Sequence, residues 1–132
     1  MLSTDSDKSG LVYICERTEL AEGDSRRVEV LFRQQPDSVI VLRHLGEVRA
    51  YRNLCVHMPR TLDCEHGRVF DRRSGHLRCS MHGIAYCAET GESLSEICLG
   101  KQLTAVRVFE TDSGIYFRDR RIRKPAVTQA GE

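Results

Sequence analysis

The chain has 132 residues, a length that suits one domain with its own hydrophobic core. Twenty basic and nineteen acidic residues give a net charge of +1, which argues against a strongly basic nucleic-acid-binding protein. The longest aliphatic run has four residues, at positions 39–42, so no membrane-spanning helix is predicted, and the polar N-terminus does not have the apolar stretch of a secretory signal.

The chain also contains six cysteines and five histidines. Without an export signal the expected compartment is the cytoplasm, where thiols stay reduced. Clustered cysteine and histidine residues in that setting bind metal more often than they form disulfides. The spacing of these residues therefore carries most of the functional information.

The first half of the chain has the pattern of short strands separated by turns. Residues 1–10 are polar, which predicts a flexible N-terminus. At most one or two helical turns are expected in residues 16–22. The third and fourth predicted strands form a hairpin through Leu45-Gly46. Strands are predicted where β-branched and aromatic residues cluster, at residues 11–15, 28–32, 39–43 and 47–52.

The end of the chain predicts one more hairpin and a tail. Residues 103–109 and 115–117 are strand-like, with a turn at 111–114 between them. Residues 118–132 begin with a charged run, which predicts a solvated, disordered tail. Because no long stretch keeps the apolar period of a helix, the sequence predicts an all-β domain over residues 11–117.

Two short motifs between the hairpins place thiols and imidazoles close together. The first is Cys55-Val-His57 and the second is Cys79-Ser-Met-His82. A loop that chelates a metal needs its ligands close in sequence, so that they converge without a large entropy cost. Two thiolates and two imidazoles suit either zinc or a 2Fe-2S cluster in which two histidines replace two cysteines on one iron.

These two motifs inside a β domain resemble the Rieske iron–sulfur proteins. The resemblance covers roughly residues 11–117. Gly46-Glu-Val-Arg-Ala-Tyr-Arg-Asn53 is similar to the strand that enters the first cluster loop, and His82-Gly83-Ile-Ala-Tyr86 followed by Glu89-Thr-Gly91 is similar to the exit from the second. The resemblance implies a Rieske-type antiparallel β-sandwich with a small cluster-binding subdomain and one 2Fe-2S cluster.

By that resemblance four residues ligate the cluster. Cys55 and Cys79 are implied on the inner iron, and His57 and His82 on the outer iron. The two imidazoles are then expected at the loop tips, where electrons enter and leave. An apolar collar suited to partner docking is expected around them, formed by Met58, Pro59 and Met81.

A second register is open to the first motif, because Cys64-Glu-His66 also has the Cys-x-His spacing. Only 12 residues separate His66 from Cys79, against 21 between His57 and Cys79. A long-loop variety of the family resembles this sequence, and Asn53 precedes the Cys55 pair as it does in the family. The Cys55 register is therefore preferred, with Cys64 and His66 in an extended loop.

The departures from the family pattern predict a low reduction potential. Rieske proteins of respiratory cytochrome bc complexes have a disulfide between the two loops, and Arg60 and Met81 stand near those cysteine positions here. Ile84 stands where those proteins have a serine that donates to a cluster sulfur. Tyr86 acts in the opposite direction, because a tyrosine at that spacing can donate to a ligand sulfur. The expected potential is in the lower part of the Rieske range.

The remaining cysteines and histidines are expected outside the ligand set. Cys15 is predicted to be a small buried hydrophobic residue. Cys87 and Cys98 are predicted to be packing residues, with a Cys64–Cys98 or Cys87–Cys98 link left open. His44 and His76 lie beside turn glycines and are predicted at the surface.

The resemblance implies a soluble electron carrier, similar to the ferredoxin components of ring-hydroxylating dioxygenases and the small subunit of nitrite reductases. Its expected partners are a ferredoxin reductase and a terminal oxygenase or reductase, with no nucleic acid and no membrane, and a monomer is expected. The chain has no room for the mononuclear iron domain of an oxygenase, so it is predicted not to be an enzyme by itself. A redox-sensing regulatory protein and a structural Cys2His2 zinc domain are the alternatives.

Overall fold

The computed structural model describes residues 11–55, 61–62, 69–71, 73–79, 84–95 and 100–125. Within these ranges the chain is almost entirely β, and its one helical element is a 3₁₀ turn, Arg17–Glu19, inside the predicted helical segment. No helix in the described ranges is long and apolar enough to cross a membrane. The strands are β1 Leu11–Cys15, β2 Ser25–Phe32, β3 Gln35–His44, β4 Glu47–Arg52, β5 Phe70–Asp71, β6 His76–Arg78, β7 Ala85–Cys87, β8 Val108–Thr111, β9 Gly114–Arg118 and β10 Ile122–Arg123.

The strands form three antiparallel sheets. A three-stranded sheet has the order β1-β9-β8, and a four-stranded sheet has the order β10-β2-β3-β4. The third sheet, β5-β6-β7, is small and belongs to the segment that contains the cysteine motifs. The predicted all-β antiparallel class is therefore confirmed.

Strand β3 is buried on both of its faces. Val39 and Val41 belong to one hydrophobic core, whereas Ile40 and Leu42 belong to another. Because successive side chains of a strand point to opposite faces, this strand separates the two cores. The four-residue aliphatic run of the sequence is the consequence, since a strand covered on both sides has no polar face.

The first core lies between the two larger sheets. Its buried residues are Cys15, Leu20, Val30, Phe32, Val39, Val41, Ala50, Val106, Ile115, Phe117 and Ile122. The second core joins the opposite face of the four-stranded sheet to the small sheet. Its buried residues are Ile40, Leu42, Tyr51, Cys55, Leu62, Val69, Phe70, Leu77, Cys79, Ile84, Tyr86, Ala88 and Leu103.

The predicted hairpin between β3 and β4 is confirmed, with a tight turn at Leu45 and Gly46. Both residues have positive φ, 55° and 81°, as a two-residue turn matching the twist of the strands requires. The Glu22 carboxylate accepts their backbone N–H groups at 2.7 and 2.8 Å. These two hydrogen bonds, the Gly46 one first, lower the pKa of Glu22. Glu22 thus stabilises a turn in which Leu45 has a positive φ, a conformation that leucine does not favour.

The closing hairpin is shorter than predicted. Strand β8 begins at Val108, and the preceding segment follows the edge of β4 without forming a strand of its own. The Arg52 N–H donates to the Thr104 carbonyl, and the Val106 N–H donates to the Ala50 carbonyl. Leu103 packs in the second core and Val106 in the first, so this segment crosses from one core to the other. These contacts with β4 amount to one isolated bridge, between Tyr51 and Ala105.

The disordered tail predicted from residue 118 is wrong for residues 118–125. Arg118 ends β9, and β10 adds a further strand to the four-stranded sheet. Ile122 is fully buried in the first core, while Asp119 accepts hydrogen bonds from Arg121 at 2.9 and 2.7 Å. A single isoleucine among many charged residues did not predict a strand. Its burial depends on core residues that are distant in the sequence. Residues 126–132 lie outside the described ranges.

Candidate metal centre

The two predicted cysteine ligands follow strands of two different sheets and lie in the same core. Cys55 follows β4 and Cys79 follows β6. Their exposed fractions are 2% and 1%, and both belong to the second core. Two buried thiols beside apolar side chains are shielded from water, as ligands of a metal centre need to be.

The first cysteine loop is closed at its base by a buried asparagine. The Leu62 N–H donates to Asn53 Oδ1 at 2.8 Å, across the loop. Asn53 in turn donates through Nδ2 to Ser38 Oγ at 3.0 Å, and its backbone N–H donates to the Ser38 carbonyl at 2.9 Å. Strand β3 therefore anchors both ends of residues 54–61 through one side chain.

The second cysteine loop is closed by a hairpin. The Cys79 N–H donates to the Ile84 carbonyl at 2.9 Å, which continues the β6–β7 pairing by one step. The Arg78 N–H donates to the Val69 carbonyl at 2.8 Å on the other side of β6. The end of β6 is thus held on both sides just before Cys79.

A tyrosine hydroxyl reaches the sulfur of the first cysteine. The Tyr86 hydroxyl lies 3.2 Å from Cys55 Sγ, and the Tyr86 side chain is fully buried. When Cys55 is a thiolate the hydroxyl is the donor, since a thiolate has no proton to give. Ile84 is buried in the same core, and its side chain has no donor. The contact expected of Tyr86 is therefore present.

Several predicted site residues lie outside the described ranges. These include the other two predicted ligands, His57 and His82, and the rival pair, Cys64 and His66. The collar residues Met58, Pro59 and Met81 and the cysteine Cys98 also lie outside. The structure places Cys55 and Cys79 in the same core, and the full ligand set stays a prediction.

The cysteines outside the ligand set differ in their surroundings. Cys15 is buried in the first core, as predicted. Cys87 is half-buried, and burial alone would raise the pKa of its thiol. Hydrogen bonds from the Thr90 hydroxyl and from the backbone N–H groups of Glu89 and Thr90 outweigh burial and lower that pKa.

The two histidines beside turns are half-buried, which corrects the prediction of plain surface residues. The His44 ring packs edge-on against Phe70, with centroids 5.6 Å apart. It also covers Gly75, where a Cβ would lie 3.0 Å from His44 Cε1. His44 therefore joins the β3–β4 turn to the small sheet.

Sequence reasoning missed the role of Ser38 and the anchoring role of Asn53. An asparagine at the end of a strand, just before a chelating loop, is a signal that could have been followed, because asparagine often bonds nearby backbone. Ser38 gives no such signal, since its contact with Asn53 spans 15 residues.

Comparison with known proteins agrees with this geometry. The family model described as the Rieske 2Fe-2S domain matches residues 10–110. No curated protein matches the chain. Among solved structures, the ferredoxin of carbazole 1,9a-dioxygenase from Nocardioides aromaticivorans IC177 is similar with a TM-score of 0.65 and 23% identity, covering 84% of this chain and 99% of that one.

A second similar structure is a complex of reduced oxygenase and oxidized ferredoxin in carbazole 1,9a-dioxygenase. Its TM-score is 0.65 at 20% identity, and the match covers 85% of this chain and 95% of that one. At these identities the likeness concerns the fold.

The chain belongs to the Rieske 2Fe-2S domain family, as the family match over residues 10–110 shows. Its cofactor is accordingly one 2Fe-2S cluster. The residues present fit that cofactor: two buried thiols lie in one core, at the ends of loops closed at their bases, with a hydroxyl directed at one sulfur. In this family that donor set is completed by two histidines.

Proposed function

We propose that the protein is a one-electron carrier whose cluster is held by Cys55, His57, Cys79 and His82. The observation that carries this proposal is the pair of buried thiols in a domain that matches the Rieske family over most of the chain. The bound cluster supplies the redox chemistry, by accepting and releasing one electron. The protein contributes the ligands, the dry surroundings and the hydrogen bond to Cys55.

The surroundings of the cysteines support electron transfer without catalysis of a substrate reaction. Apolar side chains of the second core, among them Leu62, Val69 and Ile84, are buried around them and exclude water from the thiol side. The histidine side of the cluster is expected at the loop tips, where a partner can approach. A carrier of this kind needs no substrate pocket and has no catalytic residue.

The proposed partners are a ferredoxin reductase and a terminal oxygenase or reductase. Support comes from two of the similar structures, one a ferredoxin of carbazole 1,9a-dioxygenase and the other a complex of oxygenase and ferredoxin. A cytoplasmic location and a monomeric carrier complete the proposal. Analytical ultracentrifugation of the pure protein tests the monomer.

The cluster is tested by its colour and composition. Purified protein should be red-brown, with about two irons and two acid-labile sulfides per chain. The variants Cys55→Ser and Cys79→Ser should lose the iron and the sulfide. Cys15→Ser and Cys87→Ser, the same change at cysteines outside the ligand set, should keep them. A colourless protein with one zinc per chain would establish the structural zinc domain instead.

The register of the first loop is tested in the same assay. His57→Ala should remove the cluster or change its absorption spectrum. The double variant Cys64→Ala/His66→Ala should keep the wild-type spectrum. The opposite pattern assigns the ligands to Cys64 and His66.

A further inference from the structure

Three arginine side chains surround one buried aromatic ring at the end of the four-stranded sheet. The guanidinium carbons of Arg52, Arg121 and Arg33 lie 4.6, 5.1 and 5.6 Å from the centroid of the Phe32 ring. Phe32 is 4% exposed, so the arginines cover it. Contact between a cation and the face of a ring holds the guanidinium groups in place.

Separate parts of the chain add further cations here. The Arg33 N–H, in the β2–β3 turn, donates to the Arg121 carbonyl at 2.8 Å and joins this turn to the one before β10. Two carboxylates lie among the cations, those of Asp37 and Asp119. Three more exposed cationic residues lie within two residues of Ile122, which pairs with Phe32. We call the six cationic residues the arginine surface: Arg33, Arg52, Arg120, Arg121, Arg123 and Lys124.

Internal ion pairs neutralise two of these six cations. Arg52 pairs with Asp37 at 2.6 Å and Arg121 with Asp119 at 2.7 Å. In the described part of the chain the other four form no ion pair, and all of them are exposed: Arg33, Arg120, Arg123 and Lys124. Neighbouring unpaired cations repel one another, so an anionic partner would relieve that repulsion.

Positive charge is therefore concentrated on the arginine surface. The whole chain has a net charge of +1, with twenty basic and nineteen acidic residues. Since the arginine surface has six cations and two carboxylates, the rest of the chain carries more acidic than basic residues. A near-neutral protein with one cationic surface is oriented by the field of an acidic partner as it approaches.

The arginine surface reaches the end of β4 that leads to Cys55. Strands β3 and β4 pair from His44↔Glu47, at their shared turn, to Val39↔Arg52, and the chain reaches Cys55 three residues later. Arg52 of the arginine surface is thus three residues from Cys55, although Phe32 belongs to the first core and Cys55 to the second.

We propose that the arginine surface is a docking surface for an acidic face of the redox partner protein, in addition to the apolar collar that the resemblance implies. This inference rests on the proposed electron-carrier function, because that function requires a partner to dock near the cluster. Planar guanidinium groups match carboxylates with two parallel hydrogen bonds, so glutamate- and aspartate-rich protein surfaces fit them.

A protein partner is favoured over a nucleic acid by the ring beneath the arginines. Proteins that bind single strands stack bases on exposed aromatic rings, whereas Phe32 is covered. Outside the arginine surface, acidic residues outnumber basic ones. They would repel a polyanion that extends beyond that surface. A compact acidic face avoids that repulsion.

The test is electron transfer from an acidic redox protein at low and high ionic strength. The probe is flavodoxin, photoreduced to the hydroquinone, and each encounter moves one electron to the oxidised protein and leaves the flavin semiquinone. Arg33→Glu/Lys124→Glu should slow the second-order rate about tenfold at low ionic strength. Wild type and variant should converge at high ionic strength, because salt screens the charges.

The matched control is Arg73→Glu/Lys101→Glu, which changes the same residue types and the same charge at exposed positions outside the arginine surface. This control should slow the second-order rate of electron transfer much less than Arg33→Glu/Lys124→Glu does. A second variant, Arg120→Glu/Lys124→Glu, leaves the β2–β3 turn intact and should behave like the first. Unchanged absorption spectra and midpoint potentials show that the variants keep the site.

The outcomes separate this inference from the proposed function. A purified protein without iron and sulfide contradicts the electron carrier itself. An intact cluster with equal losses in surface and control variants overturns the docking surface. Binding to phosphatidylserine vesicles or duplex DNA that Arg33→Glu/Lys124→Glu abolishes, with unchanged transfer from flavodoxin, would also overturn it and assign the surface to that anion.

Discussion

At the scale of single residues, the hydrogen bond between Tyr86 and Cys55 connects the fold to the redox property. A donor to a ligand sulfur stabilises the more negative reduced state and raises the potential. Tyr86 supplies that donor from β7, and Ile84, at the end of the second loop, supplies none. The potential of this protein is thus expected to depend strongly on one hydroxyl.

Tyr86→Phe should lower the midpoint potential, on the order of tens of millivolts, because it removes the donor while keeping the ring. The measurement is a spectroscopic redox titration. Tyr51→Phe is the matched control: Tyr51 is buried in the same core, but its hydroxyl donates to the Ala88 carbonyl at 2.9 Å. Equal shifts in both variants would contradict a specific role of the Cys55 contact.

Asn53 determines how the first cysteine loop begins and ends. Asn53→Ala should lower the free energy of unfolding by about 1–3 kcal/mol, because the Leu62 N–H and the Ser38 hydroxyl lose a buried partner. Denaturant unfolding of the purified protein measures it. Ser38→Ala removes only one of these contacts and should cost less, so a larger effect of Ser38→Ala would refute the anchoring role of Asn53.

At the scale of elements, β10 is a strand where the charged sequence predicted a disordered tail. It pairs with the end of β2, and Ile122 closes the first core beside Phe32. The surrounding charges are accommodated because Asp119 is paired with Arg121 and caps the Arg107 N–H at 3.1 Å. The chain from 118 to 125 is therefore part of the domain.

Ile122→Ala should destabilise the protein by about 2–5 kcal/mol, since it leaves a cavity in the first core. Thermal or denaturant unfolding measures the loss. Arg123→Ala, the exposed neighbour in the same strand, should change stability by no more than about 0.5 kcal/mol. Similar small effects of both changes would mean that β10 contributes little to the fold.

At the scale of the whole molecule, ion pairs connect distant elements. Arg43 of β3 donates to Glu110 of β8 at 2.7 Å, and Arg17 of the 3₁₀ turn donates to the same carboxylate at 3.0 Å. The hydrogen bond from Arg43 is the main cause that lowers the pKa of Glu110. The hydrogen bond from Arg121 likewise holds the pKa of Asp119 far below its ordinary value.

These lowered pKa values predict acid sensitivity. A carboxylate whose pKa is lower in the folded state stabilises the fold above its unfolded pKa and loses that contribution as pH falls toward the folded pKa. The free energy of unfolding should therefore be nearly constant above about pH 5 and decrease between about pH 5 and pH 2. Glu110→Gln should flatten this decrease, because it removes a carboxyl whose pKa the Arg43 hydrogen bond lowers. Identical pH profiles for Glu110→Gln and the wild type would contradict the role of the Arg43–Glu110 pair.

The sequence by itself determined the class of fold and the two cysteine motifs. Strand patterns, turn residues and ligand spacings are each contained in a few consecutive residues, so local chemistry reveals them. The resemblance of those motifs to Rieske proteins also predicted the tyrosine donor, and the family match confirms the family.

Only the tertiary structure decided which distant side chains meet. The burial of Ile122, the Ser38–Asn53–Leu62 connection and the arginine surface around Phe32 each join segments far apart in sequence. The register between strands sets such contacts, and a shift of one residue would turn every side chain to the opposite face. Register is fixed by the complete cores on both sides of β3, and no short stretch of sequence contains that information.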